Sequence, residues 1–311
     1  MSAAITAESE GLTTLIVERS TDGCGGQAAE STSIENFLGF PAGVTGKELA
    51  DRAISQCEKF GTVFMVPARV SNVQQSDGKL LVTTEDGTII PTRTVILALG
   101  VSYRPLEVEG VARLIGRGVK YGSPKVDESY EGDVVVVGGA NSAGQAVIFL
   151  CKQKGCRVHM VVRNEALSST MSAYLIERIK AASNIVMHYN SQVKEAHGDP
   201  RLESVVITSP TGNEVVNAKE MFISIGSVAK TKWLPDGIAL DERGQIYTGN
   251  DVPTGHWRLT QLPRPPFFME TSMPGVFAAG DVRHGSIKRI ASAVAEGAMA
   301  VQNIHGYLAL K

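Results

Sequence analysis

The stretch Asp133-Val134-Val135-Val136-Val137-Gly138-Gly139-Ala140-Asn141-Ser142-Ala143-Gly144 carries the clearest structural signal in this chain. An apolar run at residues 134–137 meets a Gly-Gly-Ala turn, a helical stretch continues through Leu150, and a second β-rich run follows at residues 157–162. This is a strand–helix–strand unit about 30 residues long. In that context Gly138, Gly139, Ala140, Asn141, Ser142 and Ala143 match, imperfectly, the glycine-rich turn that presents a helix N-terminus to a pyrophosphate. Ala140 stands where a second glycine lets the backbone approach the phosphates, so binding is expected to be weakened. The plainer alternative is a tight strand-to-helix turn without a ligand.

Towards the N-terminus, the tail of the same plan opens the chain. Residues 2–10 read as a helix stopped by Gly11, and residues 13–17 as a strand ending in Glu18. Several short strands fill residues 71–96, with a hairpin signal at Asp86-Gly87; a similar meander at residues 193–216 turns at Pro210-Thr211-Gly212-Asn213. Each leads into an apolar run closing on glycine, residues 95–100 and 221–226. A third such run, residues 276–279, passes through Gly280 and Asp281 to a helix of small residues from about Ile290 to Leu308. Two copies of one plan predict a duplicated dinucleotide-binding fold. The expected class is α/β, with two Rossmann-like three-layer domains. Because the last run would complete the first copy, the first domain is expected to be discontinuous, residues 1–108 with 243–311, around a second domain at 109–242.

Bulk properties narrow the function. A chain of 311 residues exceeds the size at which one core normally stops growing, and 43% hydrophobic with 20% charged residues is a globular composition. A formal charge of −2 offers no basic surplus for nucleic acid. The longest apolar runs, such as residues 94–99, fall far short of the roughly 20 needed to cross a bilayer, and no basic-then-apolar leader opens the chain. No membrane association and a cytoplasmic location are expected. Cys24, Cys57, Cys151 and Cys156 form no Cys-x-x-Cys pair and read as buried free thiols; nothing in the spacing of Cys24 and Cys57 suggests a redox pair. No His/Cys/Asp cluster has metal-ligand spacing, so no metal is expected.

Individual residues then suggest ligands. Arg163 ends the second strand of the unit, where a guanidinium pairs with a 2′-phosphate and a carboxylate selects the dephosphorylated cofactor, so NADPH is favoured, although Glu165 lies close by. Glu18 holds the corresponding position in the first copy, where its carboxylate suits ribose hydroxyls. Residues 23–27 form a glycine-rich loop, and residues 35–41 combine Asn36 with aromatics and a proline, a set able to hydrogen-bond a heteroaromatic edge and exclude water. His284 is either a proton donor beside a bound cofactor or a surface histidine capping the Gly280-Asp281 turn. Glu296, on the small-residue helix, is expected to face solvent or a domain partner. Residues 263–268 read as an extended loop.

Taken together, Gly25-Gly26-Gln27, residues 35–41, residues 134–143, and Gly275-Val276-Phe277-Ala278-Ala279-Gly280-Asp281-Val282-Arg283 resemble the low-molecular-weight thioredoxin reductase family, and the motifs span nearly the whole chain. Ser172-Ala173-Tyr174-Leu175-Ile176 and Lys288-Arg289-Ile290-Ala291-Ser292-Ala293-Val294 resemble a subgroup often fused to response-regulator or cyclic-nucleotide-binding modules. The resemblance implies FAD in the discontinuous domain, NADPH in the inserted one, hydride transfer between them, and a homodimer. It implies that Glu18 holds the adenosine ribose, that Gly26, Gln27 and Asn36 line the FAD, and that Gly280 and Asp281 bind its ribityl-phosphate region. It places Arg289 and Ile290 near the isoalloxazine, with a helix starting beside Asp281.

Two departures qualify this. The family's Cys-x-x-Cys lies where this chain reads Gly122-Ser123-Pro124-Lys125-Val126-Asp127-Glu128, so dithiol relay is not expected at that site. The family also opens with a strand and Gly-x-Gly-x-x-Gly, whereas this chain begins at the following helix, so the expectation is either a truncated start or poor FAD binding. The leading expectation is an NADPH-dependent flavin oxidoreductase passing electrons to a small-molecule or protein acceptor. The alternatives are a non-catalytic NADPH-binding regulatory module and an inactive fragment.

Overall fold

A computed structural model describes residues 1–31, 34, 36–125, 128–259 and 264–310. The chain divides into two compact units, Met1–Ser102 with Val228–Lys311, and Tyr103–Ser227. Both junctions fall earlier than the sequence-based boundaries at 108/109 and 242/243, for a packing reason. Leu106 and Val108 rest against the core of the second unit, while Leu234 and Ile238 are buried with Val73, Leu80 and Val82 in the first.

The second unit has three layers. Its middle is an all-parallel five-stranded sheet in the order Ile185–His188, Cys156–Val161, Gly132–Val137, Glu220–Ile223, Val119–Tyr121. The central strand explains the valine run. Val134 and Val136 point into a core shared with the helices Asn141–Cys151 and Ala173–Ala181, whereas Val135 and Val137 pack beneath the antiparallel meander of Gln192–His197, Ser204–Ser209 and Gly212–Val216. Side chains that alternate across a sheet covered on both faces must all be apolar, which is why no polar residue interrupts the run. Each such valine, at most 6% exposed, contributes roughly 1.5–3 kcal/mol by leaving water.

The first unit repeats the plan with shorter ladders. Leu15–Val17 runs parallel to Val63–Met65, and Val95–Leu97 runs parallel to Val276–Ala278, so the late apolar run pairs with an early one. The meander of Val70–Ser76, Lys79–Thr84 and Ile89–Thr92 is antiparallel and turns where Asp86-Gly87 signalled. Between the first ladder's strands lies the helix Gly46–Phe60, which is not among the expected elements. Thr45 Oγ1 accepts the Glu48 N–H at 3.1 Å to start it, and Gly61, at φ 94°, ends it in the left-handed conformation that glycine adopts without strain. The helix Ile290–Leu308 packs on the helix Ser2–Ser9 through small residues, with the Ser2 hydroxyl donating to the Val294 carbonyl at 2.7 Å. No helix among the described residues is long and apolar enough to cross a membrane.

Candidate nucleotide-binding sites

In the second unit, the Gly132–Val137 strand enters the Asn141–Cys151 helix through a turn only glycine can make at its first position. Gly138 sits at φ 142°, and a Cβ there would lie 2.3 Å from the Ser224 carbonyl oxygen. The helix begins after Ala140 in extended backbone and carries no side-chain cap, so its first N–H groups are left to whatever lies in front of them. Ala143 and Gly144 are buried against the sheet and a neighbouring helix, which fixes the helix end in place, while Asn141 and Ser142 remain exposed. Two side-chain bonds lace the next loop over the turn: Thr170 Oγ1 donates to the Gly139 carbonyl at 2.6 Å, and Asn141 Oδ1 accepts the Ser172 N–H at 2.8 Å. Asn141 therefore spends its side-chain oxygen on the scaffold, a role its place in the motif did not disclose. Arg163 emerges just past the end of the strand Cys156–Val161, exposed and with no ion-pair partner among the described residues. A turn of this shape, with uncapped donors and an exposed guanidinium at the adjacent strand end, fits a phosphorylated dinucleotide.

In the first unit, Glu18 is held at the end of its strand by its own backbone, donating to Met65 O at 3.1 Å and accepting from Ala68 N at 2.7 Å, while its carboxylate takes the Ser20 N–H at 2.9 Å. Gly26 opens the short helix Gly26–Ala29 at φ 51°, and Gln27 donates its amide to the Val101 carbonyl at 3.0 Å. Asn36 is exposed; Glu35, its neighbour in the resemblance, and Pro263 lie outside the described residues.

Gly280 and Asp281 sit on a short 3-10 turn, Gly280–Val282, and the helix starts only at Ile290 after Arg289, both set well apart in sequence from Asp281. The helix therefore runs over Ile290–Leu308, as its run of small residues indicated, and residues 283–289 link it to the Gly280–Val282 turn. Burial pushes the Asp281 carboxyl up, the nearby Lys288 opposes this, and the negative Glu296 adds to it.

Glu296 corrects a second expectation. It is 5% exposed and points inward, receiving the Gly280 N–H at 2.7 Å, Arg283 Nη2 at 2.7 Å and Ser286 Oγ at 3.0 Å. A helix whose surroundings are alanine and glycine leaves room for one long polar side chain to reach the turn behind it. His284 neither caps that turn nor stands free, since its Nδ1 lies 2.9 Å from Asp241 Oδ2 with the Tyr247 ring 4.5 Å away.

All four cysteines are free thiols, three of them buried and Cys151 partly so. Burial raises the Cys24 thiol most and the charge of Glu18 adds to it, while the N-terminal ammonium opposes them.

These features define a two-unit, dinucleotide-binding α/β protein with a discontinuous first unit. The profile of the pyridine nucleotide-disulphide oxidoreductase family matches residues 1–297, and the chain belongs to that family. Among similar proteins, a component of the alkyl hydroperoxide reductase of Staphylococcus epidermidis is 31% identical over 311 residues, covering 99% of this chain and 56% of that protein. Its namesake in Staphylococcus aureus is 30% identical with the same coverage. The chain thus spans about half the length of the curated relatives it matches. Among solved structures, thioredoxin reductase from T. acidophilum superposes with a TM-score of 0.76 at 28% identity, over 98% of this chain and 93% of that one. Thioredoxin reductase from Lactococcus lactis gives 0.80 at 26% identity, over 100% and 95%. The fold is thioredoxin-reductase-like.

Proposed function

We propose that this chain is an NADPH-dependent, FAD-containing oxidoreductase whose electrons leave without passing through a Cys-x-x-Cys at the family's usual site. The observation that carries the reading is the Gly138-Gly139 turn with its uncapped helix start and the exposed Arg163 beside it, which has no ion-pair partner among the described residues. Family membership supports the oxidoreductase class. On this reading the N–H groups of Asn141, Ser142 and Ala143 hold the NADPH pyrophosphate, with Gly138 and Gly139 allowing its approach, and Arg163 pairs with the 2′-phosphate. Glu18 holds the adenosine ribose of FAD, Gly26, Gln27 and Asn36 line that cofactor, Gly280 and Asp281 bind its ribityl-phosphate region, and Arg289 and Ile290 stand near its ring system.

When bound, the flavin supplies the step that cannot be done by side chains, taking a hydride from the nicotinamide and giving electrons onward. The protein's own contribution is to orient and to exclude water. The Thr170 and Ser172 bonds hold the turn, and Glu296 holds the Gly280–Val282 turn against the C-terminal helix. With no cysteine in residues 122–128, that segment offers no dithiol to relay electrons, so an acceptor such as a quinone, a small disulfide, a ferredoxin-like protein or oxygen would have to reach the bound flavin itself. The working form on this reading is a cytoplasmic homodimer.

The test is the visible spectrum of the purified chain, incubated with FAD and titrated anaerobically with NADPH. Flavin bands that bleach on one equivalent are expected. A chain that binds flavin yet leaves it oxidised defeats the catalytic reading, and one that binds NADPH but no flavin supports a regulatory module instead.

A further inference from the structure

Four ionisable side chains that are far apart in sequence form one line across the second unit. Asp133 lies on the central strand of the parallel sheet, His159 on its neighbour, His188 at the end of the edge strand, and Glu214 on the meander that covers this face. His159 Nε2 stands 2.9 Å from Asp133 Oδ1, His159 Nδ1 stands 3.0 Å from His188 Nε2, and His188 Nδ1 stands 3.5 Å from Glu214 Oε2. The two imidazoles are almost coplanar, 20° apart with centroids separated by 5.3 Å, so their facing nitrogens meet edge to edge.

The hydrogen positions follow from counting. A carboxylate accepts only, and a neutral imidazole carries one N–H. Asp133 therefore claims the Nε2 proton of His159, which leaves His159 Nδ1 as an acceptor. That acceptor takes the Nε2 proton of His188. With both rings neutral no proton remains for the third gap, and His188 Nδ1 then faces the Glu214 carboxylate lone pair to lone pair. Arg157 Nε stands 4.0 Å from Asp133 Oδ1, at the far end of the line. Among the described residues no lysine or arginine forms an ion pair with Glu214.

We propose that His188 Nδ1 and Glu214 Oε2 bind a divalent first-row transition ion of the zinc class, with His159 and Asp133 as positioning residues behind them. The separation suits it: two ligands bound to a tetrahedral ion at roughly 2.0–2.1 Å lie about 3.3 Å apart. A ligating histidine characteristically hands its other ring proton to an outer partner that fixes its tautomer, and His188 hands its own to His159, which is fixed in turn by Asp133. The imidazole is held inside, 9% exposed, while Glu214 is 59% exposed and leaves the ion's remaining positions to water. Ligand atoms of His159, His188 and Glu214 all lie within 4.8 Å of one another, so the positioning histidine stands directly behind the two ligands. Imidazole and carboxylate together select zinc-like ions over magnesium or calcium, which prefer oxygen alone.

The experiment is equilibrium dialysis of the full chain against micromolar zinc, with isothermal titration calorimetry, for the natural protein and for Glu214→Gln, His188→Gln and Asp133→Asn. One zinc per chain is expected, with affinity falling at least about tenfold in Glu214→Gln and Asp133→Asn, and more in His188→Gln. Zinc should raise the melting temperature of the natural protein and not that of Glu214→Gln. Glu214 is a surface residue, so its amide variant decides the matter even if His188→Gln does not fold. Absence of stoichiometric zinc uptake overturns the site, as does uptake that Glu214→Gln leaves unchanged, which would assign the ion to the thiols.

Discussion

The Glu296 carboxylate reaches out of the C-terminal helix to take the backbone N–H of Gly280 at 2.7 Å, tying that helix to the turn that carries Asp281. Its other oxygen binds Arg283 Nη2 at 2.7 Å, and neither side chain of the pair is more than 12% exposed. Removing one partner strands the other charge away from water, so Glu296→Ala is expected to lose about 3–5 kcal/mol of stability. Chemical denaturation checks this.

The same carboxyl makes stability depend on acid. Burial alone would raise its pKa, but the bonds from Arg283, Gly280 and Ser286 and the charge of Arg283 outweigh burial and hold it below the ordinary glutamate value of 4.5. A group depressed on folding contributes stability that is fully present above that ordinary value and is lost as pH falls through the lower, folded one. The denaturant midpoint should therefore drop more steeply below about pH 4 in the natural protein than in Glu296→Gln. Equal slopes for the two would show that other carboxylates carry the acid response.

Gly138→Ala introduces a Cβ 2.3 Å from the Ser224 carbonyl in a backbone conformation at φ 142°. The turn must open to accept it. A stability loss of about 1–3 kcal/mol is expected, together with weaker NADPH binding, because the helix N-terminus moves away from the phosphates. Thermal melting and fluorescence titration with NADPH read the two effects separately.

Arg163→Ala removes an exposed side chain with no partner among the described residues, so stability should hardly change. A charge-assisted bond of about 1.5–3 kcal/mol is lost only with the phosphorylated cofactor, which predicts a roughly 10- to 100-fold rise in KM for NADPH and little change for NADH. An equal rise for both cofactors would remove Arg163 from the 2′-phosphate site.

The thiols should be slow to react in the native protein. Burial first, then the charges of Cys151 and Asp133, push Cys156 up to about 11, and burial raises Cys24, Cys57 and Cys151 as well. Since the thiolate is the reactive form, iodoacetamide near neutral pH should label these cysteines slowly until the chain is unfolded. Rapid labelling of Cys24 or Cys57 in the folded protein would reopen a redox role for that thiol.

Much of the fold is legible in local sequence because its signals are local. The valine run, the Gly138-Gly139 turn and the Asp86-Gly87 hairpin each act within a few residues, and each appears in the structure as read. The helix Gly46–Phe60 is equally legible in principle, since Thr45 with Glu48 has the pattern of a capping box and Gly61 supplies a stop, signals weaker to the eye than the glycine loops around them. The pairing of Val276–Ala278 with Val95–Leu97 could be anticipated only through the repeat of the plan.

Residue order alone specifies the strand–turn–helix unit, its duplication and the absence of a cysteine pair at residues 122–128, because residue identity limits which turns close and which thiols exist. Tertiary packing set the rest. It turned Glu296 inward onto Gly280, moved both unit boundaries, and lined up Asp133, His159, His188 and Glu214 from three strands and a meander. Such groupings depend on which side chains of distant segments share one face of a sheet, and no spacing along the chain encodes that, since it is set only when the strands choose their neighbours and register.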